Sequence, residues 1–473
     1  MRVALRSFVW CGTLCVGLVS RGWGQAPFDE AAAMTRLAEH EAETRSLLMA
    51  HAKQIGAADA GYIAAEFEPL LGMVQGKKLV LVSEPTHGTH ETRLMNAKVV
   101  RFLVERDGVR TLVVELGYAE GLELDGYVRR GVGDIDSIVG KDLGVLWNTV
   151  EEADMMRWIA GWNKAHPKDM VRVAGMDVEA GTSAGLALAK LVAGMKLDAG
   201  LVERIRVGAN VADVMRGPAR VSGPGPMATE DETQASASYD AALEELLAAV
   251  KALPAGAARD DAWRSAMSVR SGRRQAELRM EGKDGTDAGS RLREVEMART
   301  ALAVVGEAMA PVVIVTHTVH LRAGRLTPAD KVQSVGYHLA RAMGDRAFFL
   351  GEEYGTGSMR AFVPQVAGAA GGPGGGDRPL HGAVFDPPVA GSIAGALGKA
   401  GPLLIDLRDP RDGSGWSGWL ESMQATHLYP AITYEKGDAS KPNWTVPADA
   451  FDALIYVPEV SPLKLMPPMV YVP

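Results

Sequence analysis

Seven short, strongly apolar runs punctuate this chain, and no other feature restricts its fold so tightly. They are Lys78 to Val82, Thr111 to Val114, Val171 to Ala174, Val312 to Val315, Phe348 to Leu350, Leu403 to Ile405 and Leu454 to Val457. A strand that is apolar at successive positions is buried on both of its faces. Most of the runs are separated by stretches of helical character, such as Thr92 to Glu105 and Glu151 to Ala165. Strands of this kind alternating with helices predict an α/β fold with a mainly parallel central sheet and flanking helices.

With 47% hydrophobic and 23% charged residues the chain has enough apolar surface to offset its chain entropy, which excludes a disordered polymer. The net charge is −8 and no basic face stands out, so nucleic acid is not an expected partner. Residues 1–26 have another character. Arg2 and Arg6 precede a 12-residue apolar run from Phe8 to Val19, and small residues follow around Gly24 to Ala26. That is the layout of a secretory signal peptide, and the run falls short of the roughly 20 residues a bilayer span needs. The expected mature protein is therefore periplasmic or secreted, without a stable membrane anchor. Both cysteines, Cys11 and Cys15, lie in the leader. Thiol catalysis and cysteine-ligated zinc are thereby excluded for the mature form.

Two segments break the strand and helix rhythm. A Gly/Pro-rich stretch from Gly217 to Pro226 opens a region rich in Ala, Glu and Arg that reads as a helical insertion or subdomain over about residues 217–310. The second, Val366 to Gly376, is too rich in glycine to pack and reads as a surface loop. Residues 27–473 otherwise read as one α/β domain, and nothing in them fixes the oligomeric state.

In open α/β sheets ligands bind beyond the carboxyl ends of the strands. After the first run stands Ser83-Glu84-Pro85-Thr86-His87-Gly88-Thr89-His90-Glu91, after the second Glu115, after the third Asp177 and Glu179, and after the fourth Thr316-His317-Thr318-Val319-His320. Four of only ten histidines thus occupy two strand-to-helix junctions beside several carboxylates. Taken singly, each carboxylate is explained as a helix cap and each histidine as a satisfied residue. Recurrence at four junctions points to a site.

These residues also carry a resemblance. Ser83 to Thr89 is similar to the Gly-Glu-x-x-His-Gly signature of the erythromycin esterase-like family. The likeness continues in order through Thr111 to Glu115, Leu124 to Arg129, Trp147-Asn148-Thr149, Val173 to Asp177, Arg293 to Ala298, His317 to His320, Phe349 to Gly351 and Phe451 to Tyr456. The resemblance implies hydrolysis of an ester, in well-known members a macrolide lactone, without a covalent serine and without a cofactor. It implies His87 as general base, Glu84 and Glu115 as the groups that orient it or the water, and His317 and His320 completing the cleft. Arg93, Asp177 and Arg293 are candidates for binding substrate or an oxyanion. Ser83 replaces the usual glycine, and Thr318-Val319 stand where members often have Asn-Ala. Both departures bear on substrate choice, and the expected partner is a small ester or macrolide-like molecule.

Other readings compete. Gly181-Thr182-Ser183-Ala184-Gly185 is a literal Gly-x-Ser-x-Gly between a strand and a helix, though Val178 to Ala180 separate it from the apolar run and Ser183 is an ordinary N-cap candidate. The Glu/His cluster also suits Zn or Mn, although Glu84-x-x-His87 lacks the paired helical histidines of a zincin. An exported binding protein that has lost its activity is the non-enzymatic alternative. Trp147, Trp158 and Trp162 read as core or staple residues, Arg270, Arg273 and Arg274 as a solvated helix face, and Met297 and Met309 as core filler or the lining of an apolar groove.

Overall fold

The computed structural model describes residues 29–142, 147–179, 181–212, 230–323, 332–361, 381–411, 413–427 and 443–466. The expected leader, the Gly217 to Pro226 stretch and the glycine-rich Val366 to Gly376 segment lie outside them. All seven apolar runs form strands. In chain order the strands are β1 (Ala52–Gln54), β2 (Leu79–Glu84), β3 (Thr111–Gly117), β4 (Arg172–Asp177), β5 (Val312–His317), β6 (Ala347–Ala361), β7 (His381–Val384), β8 (Leu403–Asp406), β9 (Gln424–Thr426), β10 (Asn443–Thr445) and β11 (Ala453–Val460).

Nine of them build one sheet in the order β1-β8-β11-β6-β2-β5-β3-β4, with β7 paired to β6. The run from β11 to β4 is parallel throughout, while β8, β1 and β7 join antiparallel. This is the mainly parallel α/β architecture that the apolar runs predict. Alternation along each strand feeds two cores. Val80 and Val82 of β2 pack with Met95 and Val99 from the helix His90–Phe102, and with Met156 and Ile159 from the helix Val150–Ala165. Leu79 and Leu81 face the other side, against Met297 and Ala301 of the helix Lys283–Glu307 and Leu339 of the helix Val335–Met343. Each fully buried Leu or Val of this kind contributes about 1.5–3 kcal/mol.

One helix sits unusually close to the sheet, and glycine explains why. A Cβ on Gly121, in the helix Tyr118–Arg130, would lie 2.1 Å from the backbone nitrogen of Gly175 on β4. A Cβ on Gly175 would lie 2.2 Å from the carbonyl oxygen of Gly117. Only glycine permits this backbone contact.

Between β4 and β5 the described chain is wholly helical: Thr182–Ala193, Ala199–Ala212, Glu230–Lys251, Ala257–Met280 and Lys283–Glu307. The first four of these helices share a core of their own, with Leu188, Ile205, Leu243, Leu246 and Val269 buried in it. Met297 is fully buried in the sheet core whereas Met309 is 99% exposed, so the two do not line a common groove. Among the described residues no helix is long and apolar enough to cross a membrane.

Candidate active site

The strand order makes β2, β5, β3 and β4 successive neighbours, so their carboxyl ends bring Glu84, His317, Glu115 and Asp177 together. Register sets the rows. Ser83 pairs with Thr316 and Glu84 with His317. Past Glu84 the chain leaves the sheet, passes His87 and enters the helix at His90.

His87 is gripped from behind. Its Nδ1 is hydrogen-bonded to Oε1 of Glu84, and the other oxygen of Glu84 lies 2.7 Å from Nε of Arg93. The backbone of Glu84 is held as well, its oxygen accepting from the Thr318 hydroxyl at 2.9 Å. The free edge of the imidazole faces Glu115, with Nε2 3.7 Å from Oε1. The ring also lies 4.9 Å from that of His317 and 5.8 Å from that of Trp147. Burial alone lowers the pKa of His87, yet the charges of Glu84 and Glu115 outweigh it and hold the imidazole above its usual 6.5.

Gly88 follows directly. A Cβ there would stand 2.3 Å from the carbonyl oxygen of Arg360, and the Arg360 N–H donates to the Gly88 oxygen at 2.9 Å. This glycine is required by the distal part of β6, which presses on the loop and fixes His87.

Glu115 is the hub of the other half. Its Oε2 accepts from the Thr316 hydroxyl at 2.5 Å and from the His317 N–H at 2.9 Å, while Arg293 Nη2 donates to Oε1 at 2.9 Å. Nε2 of His320 lies 3.4 Å from the same Oε1. Burial would raise the pKa of this carboxyl, but the charges of His320 and His87 pull it well below the usual carboxylate range. His320 is bonded through Nδ1 to Glu294 at 2.6 Å. Burial depresses its basicity, and Glu294 and Glu115 more than reverse that, pushing the pKa up to about 10. At neutral pH His320 is an imidazolium. Arg293 grips Asp177 with Nε to Oδ1 at 2.8 Å as well as Glu115, which ties the helix Lys283–Glu307 to the ends of β3 and β4. His317 caps its own turn, its Nδ1 accepting from the Val319 N–H at 3.2 Å, and this leaves Nε2 as the protonated nitrogen of the neutral ring.

All eight candidate residues are thus in one connected cluster, with Arg93 behind Glu84. The guanidinium of Arg93 points at Glu84 and Glu152 and stacks over Trp147, 4.4 Å from the ring centre. The sequence reading gave Glu294 and Glu152 no part in the site, and read Trp147 as a core or staple residue. Trp147 is in the core, and it also forms a wall beside His87. His90 belongs to a separate pair, bonded to Glu151 and approached by Lys464 Nζ at 3.1 Å.

Ser183 has different surroundings. The helix Thr182–Ala193 is capped by Gly181, so Ser183 sits inside the first turn, and its hydroxyl donates to Oε1 of Glu120 at 2.7 Å. Burial, reinforced by Glu179, pushes Glu120 up to about 8, and the partner of this hydroxyl is a carboxyl and not an imidazole. Among the described residues no three His, Cys, Asp or Glu side chains form a group that would hold a metal ion.

Residues 104–460 match the family model described as erythromycin esterase. Glu115, Asp177, Arg293, His317 and His320 lie inside that span, and Glu84, His87 and Arg93 precede it. The erythromycin esterase type II of Escherichia coli is 28% identical over 113 residues, 24% of this chain and 26% of that enzyme. The match therefore spans about a quarter of that relative's length. Among solved structures, a Bacillus cereus protein aligns with a TM-score of 0.69 at 23% identity, covering 90% of this chain and 99% of its own. A succinoglycan biosynthesis protein aligns with a TM-score of 0.69 at 16% identity over the same shares. An erythromycin esterase mutant in its open conformation aligns with a TM-score of 0.59 at 18% identity, covering 85% of this chain and 96% of that one. At these identities the likenesses establish a shared fold.

Proposed function

This chain belongs to the erythromycin esterase family, and on that premise we propose that it hydrolyses the ester bond of a small molecule, a lactone in the most specific form of the reading. One observation supports this above the others: His87 is held at Nδ1 by Glu84 while its Nε2 faces Glu115 across 3.7 Å. That gap is too long for a direct hydrogen bond and suits an oxygen atom bound to both groups.

In this reading a water between Nε2 and Glu115 gives its proton to His87 as its oxygen attacks the ester carbonyl. Glu84 stabilises the imidazolium that forms and fixes the tautomer that leaves Nε2 free to accept. Arg93 holds Glu84 in place. The His320 imidazolium and the Arg293 guanidinium supply positive charge for the oxyanion, a contribution worth on the order of 10²–10³ in rate per donor in comparable sites. No step uses Ser183 or a bound metal. The leader-like residues 1–26 support a location outside the cytoplasm.

A panel of macrolides and simpler lactones, followed by mass spectrometry for the gain of one water, tests the reading. Activity that survives dialysis against chelator, with no labelling by a fluorophosphonate, is the expected result. Loss restored by Zn or Mn would establish metal catalysis instead, and labelling at Ser183 a serine hydrolase.

A further inference from the structure

The row of side chains that contains Glu84 and His317 continues one strand beyond them. β6 runs parallel to β2, with Val80 opposite Phe348 and Val82 opposite Leu350. The ladder ends there, and the N–H of Glu352 donates to the Ser83 hydroxyl at 3.0 Å, which keeps the two chains side by side just beyond it. Strand side chains alternate between faces, so Glu84 and Glu352 emerge on the face already occupied by Val82 and Leu350. His317 follows Val315 onto the same face. The short helix Thr318–Leu321, which carries His320, packs over the ends of both β2 and β6.

Glu352 differs from its neighbours in one respect. It is only 4% exposed, and neither carboxyl oxygen has a hydrogen-bond partner among the described residues. Glu84 beside it is hydrogen-bonded through one oxygen to His87 and approached on the other by the Arg93 guanidinium. Two adjacent carboxyls in a dry environment do not both ionise, and Glu352 is the one with no cation beside it. Burial and the charge of Glu84 accordingly push Glu352 well above the usual carboxylate range. A buried O–H without an acceptor is unfavourable, and at the ends of the site strands a catalytic role is one explanation for such a group.

We infer that Glu352 is a further catalytic residue, a neutral carboxyl that protonates the leaving oxygen of the ester. The inference rests on the ester-hydrolase reading above. The attacking water loses one proton to His87 and forms the tetrahedral oxyanion. On collapse, the bond between the carbonyl carbon and the leaving oxygen breaks, and that oxygen takes the Glu352 proton and departs as an alcohol. Glu352, now a carboxylate, regains a proton as His87 gives up the one it took. The sum is ester plus water giving acid plus alcohol.

Leaving-group dependence separates this role from a structural one. A p-nitrophenolate departs without a proton, whereas an alkoxide requires one. In Glu352→Gln, which preserves shape and neutrality, hydrolysis of an alkyl ester should fall about 10²–10⁴-fold, and hydrolysis of the p-nitrophenyl ester of the same acid should change only a few-fold. Equal losses on both esters, or a loss on neither, would overturn the assignment. His87→Gln should slow both esters. If it slows neither, or if the native protein hydrolyses no ester, the ester-hydrolase reading itself fails. An infrared difference spectrum between the native protein and Glu352→Gln at neutral pH gives a readout independent of turnover. It should contain the carbonyl band of one protonated carboxylic acid, and a carboxylate band in its place would contradict the proposal.

Discussion

Nδ1 of His320 lies 2.6 Å from Oε1 of Glu294, while its Nε2 lies 3.4 Å from Oε1 of Glu115. The imidazole is thus clamped between a carboxylate of the helical region and a carboxylate of the sheet, and the clamp works only if the ring is charged. Opening the helix Lys283–Glu307 away from the strand ends would break this bond and the Arg293 bridges together, so the helical region is fastened to the sheet by the residues that form the site.

That clamp predicts a pH signature in stability. His320 has a folded pKa of about 10 against an ordinary value of 6.5, so its stabilising contribution is complete below pH 6.5 and is lost as pH rises toward 10. Urea midpoints measured at pH 6.5 and pH 9.5 should differ more for the native protein than for His320→Gln. An identical pH dependence in the two proteins would show that the ring is uncharged in the fold.

Arg93 lies between Glu84 and Glu152, and burial, only partly offset by Arg93, holds Glu152 up to about 7. Arg93→Met strands Glu84 without its guanidinium partner, and removing one partner of a buried ion pair costs about 3–5 kcal/mol. The loss, read from denaturant midpoints, should be larger at pH 8 than at pH 6, because Glu152 is then ionised as well.

Glycine substitutions test the close helix on β4. Gly175→Ala forces a Cβ into the Gly117 backbone at 2.2 Å and should destabilise by about 1–3 kcal/mol or prevent folding. Gly161→Ala, in the helix Val150–Ala165 with nothing within 4 Å of the new Cβ, should stabilise by about 0.5–1 kcal/mol. Melting temperatures moving in opposite directions would bear out the packing, and equal shifts would not.

Export is checked at the other end of the chain. N-terminal sequencing of protein recovered from outside the cytoplasm should begin near Pro27, and Met1 or Arg2 there would refute cleavage.

Much of this site is legible without coordinates because an apolar run shows where a buried strand ends. Glu84, Glu115, Asp177 and His317 each follow such a run, and the sheet order makes them neighbours. Glu294 gives no comparable signal, since its direction depends on how a 25-residue helix rotates against the sheet. Glu352 was hidden for another reason. The apolar run ends at Leu350, yet Gly351-Glu352-Glu353-Tyr354-Gly355 continues β6 because pairing with β11, through Tyr354 and Val457, holds it extended. β1, three residues long and partly exposed, is likewise a product of its partner β8.

The central claim is that His87 acts as the base. Because His87 is only 2% exposed and bonded to Glu84, the substitution that tests it must leave Glu84 with a partner, and Gln serves better than Ala. The decisive measurement is kcat/KM against pH for the native protein and His87→Gln on an ester the native protein accepts, after equal melting temperatures are established. The native rate should fall with decreasing pH through a pKa above 6.5, since protonation removes the base. His87→Gln should lose about 10²–10⁴ in rate and that limb with it. A variant that keeps most of its activity, with the same acid limb, would contradict the account.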